Sequence, residues 1–293
     1  APLDDVLAMW SGLGYYSRAR NLHRCAQAVV AEHGGVFPRS CAVLQTLPGI
    51  GPSTAAAIAS FCFGERVSIM DGNVKRVLSR VLGYDGDLAV RAHEKALIAA
   101  AAELLPARSE AMAAYTQGLM DLGATVCMPR KALCEACPWA EGCEGRRQGE
   151  PERLPVLSRK LKRKERRSQF LWWQWQDQVW LVQMPSKGVW AGLWTFPFWD
   201  DEAAARAALA TLEAGWPAWW DEGDAQPPLK HVLTHLDWHM HTRRWVLQTA
   251  TQAQAVAAAW AQAQPSGASG RWVSLAELGR LGLPAPISKA LLA

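Results

Sequence analysis

Apolar residues recur at helical spacing through roughly the first 123 positions, then give way to aromatic-rich runs. Leu3, Val6, Leu7 and Trp10 open a helical pattern at the start of the chain. Leu22, Cys25, Ala26, Val29 and Val30 predict an apolar helix face, stopped by Gly34-Gly35 as a C-cap signal. Val74, Val77, Leu78, Val81 and Leu82 predict another, and direct Lys75, Arg76 and Arg80 elsewhere. An alanine-rich helix is expected from Ser53 to about Phe63, with further helices from Val90 to Leu105 and from Ser109 to Leu122. Gly123 stops the last of these, and no convincing strand pattern occurs in this half.

Around Gly149 the character changes. Glu150 to Ser168 is charged and interrupted by proline, a linker composition. Phe170 to Met184 predicts two strands about a turn near Asp177, and Lys230 to Gln248 a second strand pair. Helices are expected from Asp200 to Gly215 and from Thr251 to Ala263, and Ser274-x-x-Glu277 is a capping-box signal for a late helix. The expected division is a helical domain over 1–149, a linker over 150–168 and an α+β domain over 169–293.

Composition narrows this picture only in part. The 293 residues are enough for two domains with real cores; half are apolar and 20% charged. A net charge of +4 does not by itself identify a nucleic-acid binder. Its distribution says more, because Arg153 to Arg167 holds eight Lys or Arg and one Glu. Such a run is a solvated connector by default; between two DNA-facing domains it would also track the phosphate backbone. No apolar run is long enough to span a bilayer and no signal-peptide layout opens the chain, so no membrane partner is expected and the cytoplasm is the expected compartment.

The seven cysteines form two groups. Cys25, Cys41 and Cys62 stand singly in helical patterns and read as small apolar residues. Cys127, Cys134, Cys137 and Cys143 crowd into seventeen positions as C-x6-C-x2-C-x5-C. In a reducing compartment that cluster points to metal, either zinc or iron–sulfur. Structural zinc sites more often use paired Cys-x-x-Cys knuckles, and this chain has one such pair, which favours iron–sulfur.

Leu47-Pro48-Gly49-Ile50-Gly51-Pro52-Ser53-Thr54 leads into the alanine-rich helix. Gly49 and Gly51 permit a sharp turn, Ser53 or Thr54 is available as a cap, and the helix N-terminus is a ready anion site for a DNA phosphate. An ordinary helix-turn-helix connection accounts for the same residues. Together with Asp71-Gly72-Asn73-Val74-Lys75-Arg76-Val77-Leu78, the stretch resembles the helix-hairpin-helix of endonuclease III-like DNA glycosylases, closest to the adenine glycosylase (MutY) branch. Gly12-Leu13-Gly14-Tyr15-Tyr16-Ser17-Arg18-Ala19-Arg20 also resembles that branch. Gly188-Val189-Trp190-Ala191-Gly192-Leu193-Trp194-Thr195-Phe196-Pro197 resembles its MutT-like C-terminal module.

The resemblance implies a mainly α helix-hairpin-helix domain with a [4Fe–4S] loop, then an α+β MutT/Nudix-like domain. The implied reaction is hydrolysis of adenine from double-stranded DNA, opposite 8-oxoguanine or G, by a monomer. Asp71 takes the place of the catalytic carboxylate, stabilising an oxocarbenium-like sugar or bonding to it briefly; capping the next helix is a second job open to it. Asn73 falls in the same catalytic motif. Ser53 stands where bifunctional relatives carry a Schiff-base lysine, so strand cleavage is not expected. Lys75 is expected on a phosphate, as is the Gly49 and Gly51 backbone; Arg18 and Arg20 are open to phosphate contact or to simple solvation.

Tyr15 falls where the branch inserts a wedge beside the lesion. Thr234 and His235 fall where it reads the oxidised guanine, although Leu233 replaces an aromatic there. Cys127, Cys134, Cys137 and Cys143 match the cluster ligands, with Arg130 and Lys131 of the loop near the DNA backbone. Most tryptophans, fourteen of sixteen at or after Trp172, are expected in the core rather than as base-stacking platforms. No Nudix-type Glu-rich box occurs after Pro197, so pyrophosphate hydrolysis is not expected.

One departure bears on activity. The branch carries its general-acid glutamate on a helix upstream of the matched region, and no Glu between Ala1 and Glu65 has that context. The chain begins without methionine, inside a helical pattern, as a fragment would. Poor DNA binding and very slow adenine release are therefore expected of the chain as given. An endonuclease III-like pyrimidine-damage glycosylase and a non-catalytic DNA-binding iron–sulfur protein are the rival readings.

Overall fold

The computed structural model describes residues 1–158, 162–212, 223–263 and 269–292. The helices along the chain are α1 (Leu3–Met9), α2 (Ser17–His33), α3 (Cys41–Leu44), α4 (Pro52–Phe63), α5 (Gly72–Leu82), α6 (Arg91–Glu103), α7 (Met112–Asp121), α8 (Glu144–Arg147), α9 (Glu202–Leu212), α10 (Ala250–Ala263) and α11 (Ala285–Leu292). Two compact units form: Arg24–Lys160, and Ala1–His23 together with Leu161–Ala293.

The first unit is helical, as the 3.6-residue pattern predicts. One cluster gathers Cys25 and Val29 of α2, Cys41 and Leu44 of α3, Leu47, and Ala55, Ala56 and Ala59 of α4. The small alanines let these helices approach closely. A second cluster gathers Val74, Val77 and Leu78 of α5 with Leu97 and Ala101 of α6 and Leu119 of α7. The face expected on α2 is narrower than its sequence suggests, for Leu22 is 56% and Val30 69% exposed. Neighbours meet that helix along the Cys25–Val29 line, an i, i+4 stripe, and the flanking positions rotate outward. Gly34 and Gly35 end it with φ of +60° and +79°, the left-handed stop expected.

The second unit is built on one mixed sheet of eight strands among the described residues: β1 (Lys164–Trp175), β2 (Gln178–Gln183), β3 (Trp194–Thr195), β4 (Phe198–Trp199), β5 (Asp224–Ala225), β6 (Leu229–Val232), β7 (Leu236–Leu247) and β8 (Gly270–Ser274). Its central path runs β3-β2-β1-β7-β5. β1 and β7 are parallel, in register from Lys164 opposite Leu236 to Trp175 opposite Leu247, and every other pairing is antiparallel. Because β7 supplies that long partner, β1 starts at Lys164, within the stretch expected to be linker. The expected strand pairs are β1–β2 and β6–β7.

Alternation sorts β1 between two cores: Phe170 and Trp172 face one side, Leu171 and Trp173 the other. The tryptophans are mostly interior, with Trp173 and Trp238 almost wholly buried and the rings of Trp190 and Trp238 stacked 4.4 Å apart.

Residues 1–23 complete this unit. Leu7 of α1 is 1% exposed within the core that holds Leu193, Leu281 and Ile287. A Cβ placed on Gly282 would lie 2.7 Å from that of Leu7. The Tyr16 hydroxyl donates to the Leu283 carbonyl at 2.7 Å, and Arg20 Nη1 to the Ala191 carbonyl at 2.7 Å.

The helix expected from Asp200 to Gly215 is α9; residues 213–215 lie outside the described residues. Ser274 caps as expected, accepting from the Ala276 N–H at 3.3 Å, but the segment it starts, Leu275–Arg280, is 3-10 helix. Gly279, Gly282 and Pro284 oppose α propagation there.

Candidate functional site

The turn before α4 uses its glycines unequally. Gly49 has φ of +77°, where a side chain would be strained, whereas Gly51 is the extended N-cap of α4 at φ −81° and ψ 173°. Neither Ser53 nor Thr54 caps this helix, contrary to expectation: Pro52 occupies its first turn and no side-chain cap bond forms. The reason is positional, since both residues already lie inside the helix and cannot reach back as an N-cap does. Among the described residues no side chain caps the Ser53 and Thr54 N–H groups, which suits them to an anion.

At the start of α5, Asp71 performs the expected capping job: its Oδ1 accepts from the Val74 N–H at 2.7 Å. Asp71 is half-buried. Two positions on, Asn73 Oδ1 accepts from Arg76 Nη2 at 2.9 Å. Arg76 also donates to the carbonyls of Gly123 at 2.7 Å and Cys127 at 2.8 Å, so one guanidinium ties the Asp71–Asn73 helix start to the first cysteine. Burial, then the charge of Arg80, push the Arg76 pKa below its ordinary value. Gly123 permits the approach, since a Cβ there would come 2.7 Å from Asn73 Cβ. It lies in a single π-helical turn, Leu122–Val126, that continues α7. Lys75 is ion-paired with Glu94 of α6, a partner that its sequence position did not indicate.

All four clustered cysteines line one pocket, with Arg80 and Arg146 also in its wall. Burial, then the facing thiols of Cys143, Cys127 and Cys137, push the Cys134 thiol up. No group of three His, Cys, Asp or Glu among the described residues is gathered closely enough for a single metal ion. Four thiols lining one pocket form a donor set that fits an iron–sulfur group. Arg80 departs from expectation, being 1% exposed. Helical periodicity placed it off the apolar face of α5, but carbonyls and a sulfur surround it on that side.

In the other unit, Tyr15 has φ of +46° and is 68% exposed, while Tyr16 beside it is buried. An exposed aromatic held in the left-handed region is poor packing and good presentation. The Tyr15 hydroxyl lies 3.1 Å from Thr234 Oγ1, across 219 positions of sequence. Thr234 and His235 are exposed in the β6–β7 turn. Arg18 packs over the Trp10 ring at 5.6 Å.

Lys230 Nζ anchors the base of that turn on Asp237 Oδ2 at 2.7 Å, with Arg163 on the other carboxylate oxygen. The Lys230 hydrogen bond chiefly, and the Arg163 charge, hold the Asp237 carboxyl below its usual range. A depressed acid stabilises the fold above its unfolded pKa, about 3.9, and loses that contribution as pH falls through the folded value. The stability gap between wild type and Asp237→Asn is therefore expected to be widest near neutrality and to shrink below about pH 4. Chemical denaturation of both proteins across that range checks this; a constant gap would count against it.

A family profile described as the HhH-GPD superfamily base excision DNA repair protein matches residues 1–106, and one described as the NUDIX domain matches residues 169–293. Adenine DNA glycosylase of Buchnera aphidicola from Schizaphis graminum is 30% identical over 291 residues, covering 99% of this chain and 79% of that protein. The Buchnera protein of the same name from Acyrthosiphon pisum is 35% identical over 69% of this chain and 57% of its own length. Human adenine DNA glycosylase is 35% identical over 83% of this chain and 52% of its own length, so the chain spans little more than half of these last two relatives.

Proposed function

The chain belongs to the adenine DNA glycosylase family of base excision repair enzymes, and on that premise we propose that it releases adenine from duplex DNA opposite 8-oxoguanine or G. The observation that carries this reading is the half-buried carboxylate of Asp71 at a helix start, with Asn73 and Arg76 braced behind it. One oxygen of Asp71 is taken by the cap, and the other is available to a sugar becoming cationic as its base departs. A helix N-terminus favours the negative charge that this task requires.

Ser53 at the matching lysine position supports simple hydrolysis over strand cleavage. The uncapped first turn of α4 suits a DNA phosphate, with Gly49 and Gly51 presenting backbone without side chains. Lys75 is assigned to bracing through Glu94 as well as to phosphate contact. Tyr15 would wedge into the duplex while Thr234 and His235 read the base opposite the adenine. The hydrogen bond between Tyr15 and Thr234 supports treating them as one element.

Cys127, Cys134, Cys137 and Cys143 would hold a [4Fe–4S] cluster. When bound, that group supplies a rigid thiolate-braced core for the loop carrying Arg130 and Lys131. The protein's own residues then present those two cations to the DNA backbone.

The deciding measurement is single-turnover adenine release from an A:8-oxoguanine duplex, by this chain and by the chain with a glutamate-bearing upstream segment of a relative added ahead of Ala1. The addition is expected to raise the rate by at least about 10²-fold, the worth of a positioned general acid. Equal rates would remove that acid from the mechanism, and activity only on damaged pyrimidines would favour the endonuclease III-like rival.

A further inference from the structure

Arg80 is a charged side chain with 1% exposure, and its partners are unusual for a buried cation. Nε donates to the Leu154 carbonyl at 2.9 Å, Nη1 to the Met128 carbonyl at 2.7 Å, and Nη2 to the Pro129 carbonyl at 3.1 Å. Nη1 also lies 3.3 Å from Cys127 Sγ. The backbone of the same residue meets the last cysteine, with Cys143 Sγ 3.4 Å from the Arg80 carbonyl oxygen. That approach is tight, because a Cβ on Gly145 would come 2.9 Å from the same oxygen.

No carboxylate pairs with Arg80 among the described residues. Carbonyl dipoles satisfy its donors but leave its charge uncompensated, and an isolated buried charge is expensive. The group it faces is the cysteine cavity, whose wall Arg80 helps to form.

We propose that Arg80 is the positioning residue and internal counterion of the cysteine centre, holding Cys127 through its guanidinium. This rests on the reading of the cavity as an iron–sulfur site, where four thiolates around the cluster leave the assembly anionic. A hydrogen bond and a positive charge at a ligand sulfur stabilise the more negative, reduced form, and so raise the reduction potential.

The test compares the whole purified chain with Arg80→Met, Arg80→Gln and Arg80→Lys, measuring iron and zinc content, cluster potential by voltammetry, and iron loss to a chelator. Arg80→Met and Arg80→Gln are expected to shift the potential negative and to release iron about 10-fold faster than wild type. Arg80→Lys, which keeps the charge, is expected to recover much of the potential. Gln retains donors for the carbonyls, so it reports on charge even where Met prevents folding. Neutral variants with wild-type potential and iron retention would overturn the counterion role alone, as would a Lys variant no nearer wild type than Gln. Wild-type protein that carries zinc in place of iron would overturn the cluster reading, and the counterion role with it.

Discussion

Asp71→Asn is expected to remove adenine release while leaving the protein folded. The capping bond runs from the Val74 N–H to Oδ1 at 2.7 Å, and Asn caps a helix about as well as Asp. Stability should therefore change by no more than about 0.5 kcal/mol. The second carboxylate oxygen and the charge have no substitute in Asn, and a lost electrostatic partner of a transition state typically costs about 10²–10³-fold in rate. Asp71→Ala separates the two roles: it loses the charge and, in addition, about 1 kcal/mol of cap.

Single-turnover release on A:8-oxoguanine DNA, measured with a relative's upstream segment added ahead of Ala1, reads the rate; denaturant melting reads the cap. An Asn variant with wild-type kinetics would reduce Asp71 to a helix cap and leave the enzyme without its central carboxylate.

Leu7→Ala is expected to destabilise the C-terminal unit by about 3 kcal/mol, within the range for a buried leucine truncated in a close-packed core. Leu7 is 1% exposed, and Gly282 is confined to glycine by the Leu7 Cβ. Tryptophan fluorescence tracks this unit, since fourteen of the sixteen tryptophans lie at or after Trp172. Leu22→Ala, at 56% exposure, is the control and should move the midpoint by less than about 0.5 kcal/mol. The consequence reaches recognition, because the same segment carries Tyr15 to Thr234. An unmoved tryptophan transition in Leu7→Ala would mean that residues 1–23 contribute nothing to that core.

How far the chain could be read in advance depended on the range of the interaction. Gly34-Gly35 marked a helix end because the left-handed conformation is a local matter, and both glycines adopt it. The alternation in Phe170–Trp173 placed those residues on opposite faces of β1 for a similarly local reason. The Ser53 or Thr54 cap failed by two or three positions, because Pro52 sits at the first turn and moves the boundary to Gly51. Arg80 failed more instructively. Periodicity assigns a face to a residue but cannot say what will cover that face, and the cysteine loop with Leu154 covers this one. Asn73 and Arg76, three apart on α5, meet by helix geometry alone, whereas their attachment to Gly123 and Cys127 is tertiary.

The amino-acid order alone determined the helical first half, the cysteine spacing, the turn at Gly49, the carboxylate ahead of α5 and the aromatic interior of the sheet domain. Each comes from steric and hydrogen-bonding rules that act within a few residues. Tertiary structure decided which core Leu7 joins, that Arg80 is interior, and that Tyr15 meets Thr234 across 219 positions. Those outcomes depend on which distant surfaces exclude water together, and a contact of that kind has no signature in the residues flanking either side.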